Sequence, residues 1–145
     1  MIEQAKLHHL AEIVQIEQES FPDPWSEALI VRKMEDTNTI FYVAVRDEQV
    51  LGHAVLQCIA PEAELEQIAV KKAARQQGIG RRLLEAAIAE AEKRGIREIR
   101  LEVRAGNIPA IALYHTLGFR DVGLRKGYYK NPSEDAVLMS LSCKL

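Results

Sequence analysis

A strand, a basic glycine-bearing loop and a strongly amphipathic helix follow one another between residues 64 and 94, and no other stretch narrows the fold as much. Residues 64–70 read as a strand. The helix carries Leu83, Leu84, Ala87, Ile88 and Ala91 on one stripe, with Glu85, Glu90, Glu92, Lys93 and Arg94 elsewhere, and Gly95 ends it. A helix of this kind has to bury its stripe against another layer. With a further strand at residues 96–103, the unit predicts helices packed on a sheet.

The connecting loop spans residues 71–80 and ends in Arg75-Gln76-Gln77-Gly78-Ile79-Gly80. Glycine lets the backbone approach a ligand and take positive φ. The unpaired N–H groups of a helix start, with the helix dipole, bind anions. Lys71, Lys72, Arg75, Arg81 and Arg82 surround the loop and suit further phosphates. A Walker loop is excluded, because Gly80 is followed by Arg81 rather than Lys-Ser/Thr. A dinucleotide fingerprint is excluded too, because Leu83 stands where its third glycine belongs. Two glycines alone fit a solvated loop; strand, basic loop and helix together point to a diphosphate held mostly by main chain.

Leu10, Ile13, Val14 and Glu17 follow helical spacing over residues 9–20. The prolines of Phe21-Pro22-Asp23-Pro24-Trp25 stop that helix, and Ser26 caps a second reaching residue 34. Residues 39–46 and 50–59 form a predicted hairpin around Asp47-Glu48-Gln49. Asn107 caps a short helix over residues 108–117, with Pro109 tolerated in its first turn. The last strands are expected at residues 119–123 and 136–145, joined by a long loop bearing Tyr128 and Tyr129. The order α-α-β-β-β-α-β-α-β-β predicts one domain over residues 1–145 built on a mixed α/β sheet.

With 19 basic and 21 acidic residues, a net charge of −2 gives no overall attraction to nucleic acid or anionic membrane. Cys58 and Cys143 make no Cys-x-x-Cys pair, no His/Cys cluster has zinc spacing, and no metal is expected. Residues 1–9 lack the apolar run of a signal peptide, and nothing approaches the ~20 apolar residues that span a bilayer. The expected location is cytoplasmic.

Glu102 is a charged residue within an apolar strand, and Tyr114 sits on the helix that Asn107 caps. A carboxylate and a phenol can serve the two proton demands of acyl transfer to an amine. The bland readings are an ion pair of Glu102 with Arg100 or Arg104, and a core aromatic at Tyr114. Arg75-x-x-Gly78-x-Gly80 resembles the acetyl-CoA pyrophosphate motif of the GNAT N-acetyltransferase superfamily, and Gln67-Ile68-Ala69-Val70 resembles its splayed strand. Leu101-Glu102-Val103-Arg104, Asn107, Ala112-Leu113-Tyr114 and Leu117-Gly118-Phe119 resemble its RimI-type N-terminal alanine acetyltransferases. The resemblance covers nearly the whole chain. It implies a mostly antiparallel mixed sheet, splayed at the cofactor site, with helices on both faces.

It also implies roles: Glu102 as general base, Tyr114 as general acid, and acetyl-CoA held by Ile68, Ala69, Val70, Arg75, Gln76, Gln77, Gly78, Ile79, Gly80, Arg81 and Asn107. Phe21-Pro22-Asp23-Pro24-Trp25-Ser26 and Tyr128-Tyr129 resemble the two loops bordering the family's peptide groove, which puts Trp25, Tyr128 and Tyr129 at the substrate. Glu66 is a second candidate base near the substrate; strand alternation puts it on the face of Ile68 and Val70. His53 and His115 read as satisfied or surface histidines. The implied acceptor is a protein N-terminus, an alanine on protein eighteen of the small ribosomal subunit. Two other readings stand beside it. A small-amine acetyltransferase would need an acidic pocket, and the two groove loops hold no acidic run. A non-catalytic acyl-CoA binder would have no need of a paired base and acid.

Overall fold

The computed structural model describes residues 1–143. Seven strands form one sheet: β1 (Ile2–Gln4), β2 (Thr39–Arg46), β3 (Gln49–Ile59), β4 (Glu62–Val70), β5 (Glu98–Arg104), β6 (Arg120–Tyr129) and β7 (Glu134–Ser142). Their spatial order is β1-β2-β3-β4-β5-β7-β6, and only β4 and β5 run parallel. Four α-helices cover it: α1 (Leu10–Ser20), α2 (Glu27–Glu35), α3 (Ile79–Lys93) and α4 (Ile108–Thr116). The expected mixed, mostly antiparallel sheet with helices on its faces is what the chain forms.

The local reasons are readable. Ser26 Oγ accepts the Leu29 N–H at 3.1 Å and starts α2. Asp47 and Glu48 both take positive φ, which allows the tight β2–β3 turn its strand-matching twist. On one face of the sheet, Leu84, Ala87 and Ala91 of α3 pack with Ala63 and Leu65 of β4, Ile99 and Leu101 of β5, and Tyr114 of α4, while Leu83 packs with Ala44 of β2 and Leu51 and Ala54 of β3. On the other, Ile13 and Ile16 of α1 and Ile30 of α2 meet Phe41, Val43, Val55 and Ala69.

Three expectations need correction. β6 continues to Tyr129, so the tyrosines lie on a strand and not in a long loop; a short turn at residues 130–133 joins it to β7. β7 begins at Glu134, two residues before the expected start at Ala136, and is described to Ser142; residues 144–145 of that expectation lie outside the described residues. Third, Glu66 is on the opposite face from Ile68 and Val70. The β3–β4 register jumps from Leu56–Leu65 to Val55–Gln67, leaving Glu66 as an extra residue in a β-bulge. The bulge resets the alternation: Ile68 and Val70 pack toward α3, while Glu66 pairs with Lys33 of α2. The short β1, with three residues and no alternation to betray it, was not anticipated.

Candidate active site

β4 and β5 pair only over Glu62–Glu64 against Glu98–Arg100. Beyond that point the bulge bends β4 away, the strands part, and a cleft of about 570 Å³ opens between them. Its walls are the diverging segments 65–68 and 101–104, with Tyr114 and Asn107 on one side and Tyr129, Pro132 and Glu134 on another. Ser20, Phe21 and Pro22 close it from the α1–α2 connection.

Glu102 and Tyr114 reach this cleft from different faces of the sheet. Tyr114 is 4% exposed and packs its ring 5.7 Å from that of Phe119, so it is a core aromatic whose edge borders the cleft. Burial, then Tyr129, pushes its hydroxyl well above the ordinary phenol range. Glu102 projects from the opposite face of β5, where Arg125 approaches it at 3.9 Å and where its carboxylate, the largest cause, raises the Tyr128 phenol. The anticipated ion pairs are absent among the described residues: Arg100 binds Glu62 and Glu98, and Arg104 binds Glu134. Burial, then the Glu102 carboxylate, pushes Tyr129 up to about 12. Burial, then Glu66 and Glu102, raises the Glu64 carboxyl.

The groove side thus gathers Glu64, Glu66 and Glu102 from two strands, an acidity that separate positions in sequence did not announce. Two of the three are countered. Lys33 Nζ lies 2.6 Å from Glu66 Oε1, and it also donates to Gln57 Oε1 at 2.8 Å. Arg125 counters Glu102.

The flanking turns are tied down by side chains. Arg104 donates to the carbonyls of Pro132 at 2.9 Å and Lys130 at 3.0 Å, and its guanidinium lies 4.5 Å from the centre of the Tyr129 ring. Glu134 accepts from Arg104 and from the Gly106 N–H at 2.6 Å. These two residues carry the β6–β7 turn beside the cleft; their pairing was not anticipated, because a spacing of thirty residues gives no local signal. Of the remaining substrate candidates, Trp25 does not form a wall of the cleft. Its N–H bonds Glu17 and its ring sits 5.7 Å from Lys33 Nζ. Tyr128 is exposed at the rim, edge-on to Tyr129 and beside Arg125.

At the start of α3, Gly78 is the cap residue at φ +78° and provides no side-chain cap, so the first helical N–H groups have no side-chain acceptor there. Gly80 belongs to the first helical turn rather than to the loop. A Cβ on it would meet Leu113 and Val70 at 3.6 and 3.7 Å, ordinary contacts, so packing within the chain does not demand glycine there. Ile68 packs toward α3 on the cleft side, and Ala69 and Ile79 are buried, leaving their main chain as the part available to a ligand. Arg75 donates to Val70 O at 3.0 Å, Gln77 accepts from Arg46, Gln76 takes φ +63°, and Arg81 pairs with Glu85 at 3.4 Å. Asn107 Oδ1 accepts the Ala110 N–H at 3.3 Å and caps α4. The uncapped α3 N-terminus and the unpaired edge of β4 suit a diphosphate and an extended amide-bearing arm.

His53 is buried against Glu17 and His115 pairs with Asp121 at the surface. Glu3, His8 and His9 bring ligand-type atoms within 4.8 Å of one another. His9 Nδ1, however, accepts the Lys6 N–H at 3.0 Å, so in the neutral ring Nε2 carries the proton and faces Glu3 as a donor. Among the described residues no helix is long and apolar enough to cross a membrane.

Residues 10–119 match the model of the acetyltransferase (GNAT) family. The chain is 40% identical over 128 residues to the [ribosomal protein bS18]-alanine N-acetyltransferase of Escherichia coli K12, a match covering 87% of this chain and 86% of that protein. It is 32% identical over 149 aligned residues to an N-alpha-acetyltransferase of Saccharolobus solfataricus, covering 94% and 89%. The crystal structure of the ribosomal-protein-S18-alanine N-acetyltransferase from Escherichia coli superposes with a TM-score of 0.91 at 35% identity, over 100% of this chain and 94% of that one. With the splayed sheet, the glycine-led helix and these matches together, the chain belongs to the acetyltransferase (GNAT) family.

Proposed function

We propose that this protein acetylates the N-terminal amine of a protein, an alanine as on bS18, with acetyl-CoA as the donor. The observation that carries the reading is the cleft between β4 and β5, which Glu102 and Tyr114 both line, with the α3 start at Gly80 packed near Val70 at the end of β4. The 40% identity with the Escherichia coli enzyme supports the choice of acceptor. An α-amine titrates near pH 8, about 2.5 units below lysine, so its free form costs roughly 3.4 kcal/mol less at neutral pH.

When bound, acetyl-CoA supplies an acetyl thioester. The α3 N-terminal N–H groups, Arg75 and Arg81 hold its phosphates, and the edge of β4 turned away from β3, along Ile68, Ala69 and Val70, holds its amide arm. Glu102 takes a proton from the substrate amine, directly or through one water. Glu66 is the weaker candidate because Lys33 already engages it at 2.6 Å. Tyr114 keeps its proton at all physiological pH and offers it to the leaving sulfur. Tyr129 and the turn at residues 130–133 border the peptide. The small-amine reading loses ground because Lys33 and Arg125 counter the acidity a polycation would need.

Mass spectrometry of protein N-termini from cells with and without this gene tests the reading. Acetyl-alanine on bS18 should vanish in its absence; bS18 acetylation that persists unchanged would refute the assignment.

A further inference from the structure

We propose that Gln67 recognises the incoming amine through its side-chain oxygen, and that Glu17 sets its orientation as a positioning residue. The inference rests on the N-terminal acetylation reading and adds to it the group that orients the acceptor nitrogen. Glu17 lies on α1 with only 1% exposure, yet it binds three separate parts of the chain. Its Oε2 meets His53 Nε2 of β3 at 2.7 Å. Its Oε1 accepts the main-chain N–H of Trp25 at 3.0 Å and the Gln67 Nε2 of β4 at 2.8 Å.

The Trp25 N–H can only donate, so Oε1 is an acceptor there whatever proton the other oxygen carries. The atom of Gln67 that faces Oε1 must then be its NH₂ group. That fixes the amide: Gln67 Oε1 points away from Glu17. No donor of the described residues bonds this oxygen. Gln67 is part of the cleft wall, next to the bulge that places Glu66, and Glu102 and Tyr114 line the same cleft. A neutral oxygen is suited to an amine that must react as a nucleophile. It accepts one N–H and aims the lone pair without taking the proton, which passes to Glu102.

The test is steady-state kinetics with an alanine-starting peptide, together with calorimetric acetyl-CoA binding. Gln67→Met keeps length and removes the acceptor; KM for the peptide should rise about 10-fold, from loss of one hydrogen bond, with acetyl-CoA affinity unchanged. Glu17→Gln should keep KM near wild type, because its amide oxygen can still accept from Trp25 and Gln67 while its NH₂ donates to His53. Glu17→Met should raise KM as Gln67→Met does, and the double variant should be no worse than either. Unchanged KM in Gln67→Met, with the wild type active on the peptide, would overturn this proposal alone. A wild type that acetylates no peptide N-terminus would overturn it together with the functional reading. If Glu17→Met fails to fold, the Gln67→Met and Glu17→Gln results decide.

Discussion

At the scale of single residues, the two proton-handling groups separate by their response to pH. Glu102→Gln cannot accept a proton, so kcat/KM should drop by about 10²–10⁴, most at low pH where the amine is protonated. Raising pH through the amine pKa of ~8 should recover part of the loss, because solvent then supplies the free amine. Tyr114→Phe should show a similar loss with no such recovery. Wild-type kcat should not fall as pH passes the ordinary phenol value of ~10, because burial holds the Tyr114 proton beyond it. Stability has the opposite limb. Tyr129 releases its proton near 10 when unfolded and only at about 12 when folded, so its contribution is complete below pH 10 and is lost as pH rises toward 12. A pH series of rates and of thermal midpoints reads both. Full activity in Glu102→Gln with an inactive Glu66→Gln would move the base to β4.

At the scale of elements, the α3 start and the β6–β7 turn make separable demands. Gly80→Ala should fold normally, since its Cβ meets only ordinary contacts, while Gly80→Asp should fold but weaken acetyl-CoA binding by placing negative charge against the phosphates. Calorimetric titration checks both, and unchanged affinity in Gly80→Asp would sink the phosphate assignment. Arg104→Lys keeps the charge but cannot span Pro132 O, Lys130 O and Glu134 together. Peptide KM should rise several-fold, with acetyl-CoA binding intact, as seen by kinetics beside the same titration. Elements with strong periodicity, such as α3, and with cap residues, such as Ser26 and Asn107, were legible before the fold was known. Of β6 only the start was, at residues 119–123; its continuation to Tyr129 was missed because it is an exposed edge strand whose residues show no buried alternation. The bulge at Glu66 was hidden too: a register jump depends on the partner strand, and it inverted the face expected from alternation.

At the scale of the whole molecule, the site exists because two parallel neighbours pair for three residues and then part. Chemistry-bearing side chains that stood out in sequence, Glu102 and Tyr114, come to one cleft only through that divergence. The network around it, with Glu17, Lys33, Arg104 and Arg125, rests mainly on pairings 23 to 50 positions apart, which no local pattern carries. The central claim is that this cleft takes a free protein N-terminus rather than a lysine side chain. One measurement addresses it directly: the acetylation rate of an alanine-starting peptide against the same peptide N-terminally blocked and carrying a single lysine. The alanine N-terminus should react at least about 10²-fold faster at neutral pH, in line with its ~2.5-unit lower amine pKa. Equal rates, or faster modification of the lysine, would contradict the account.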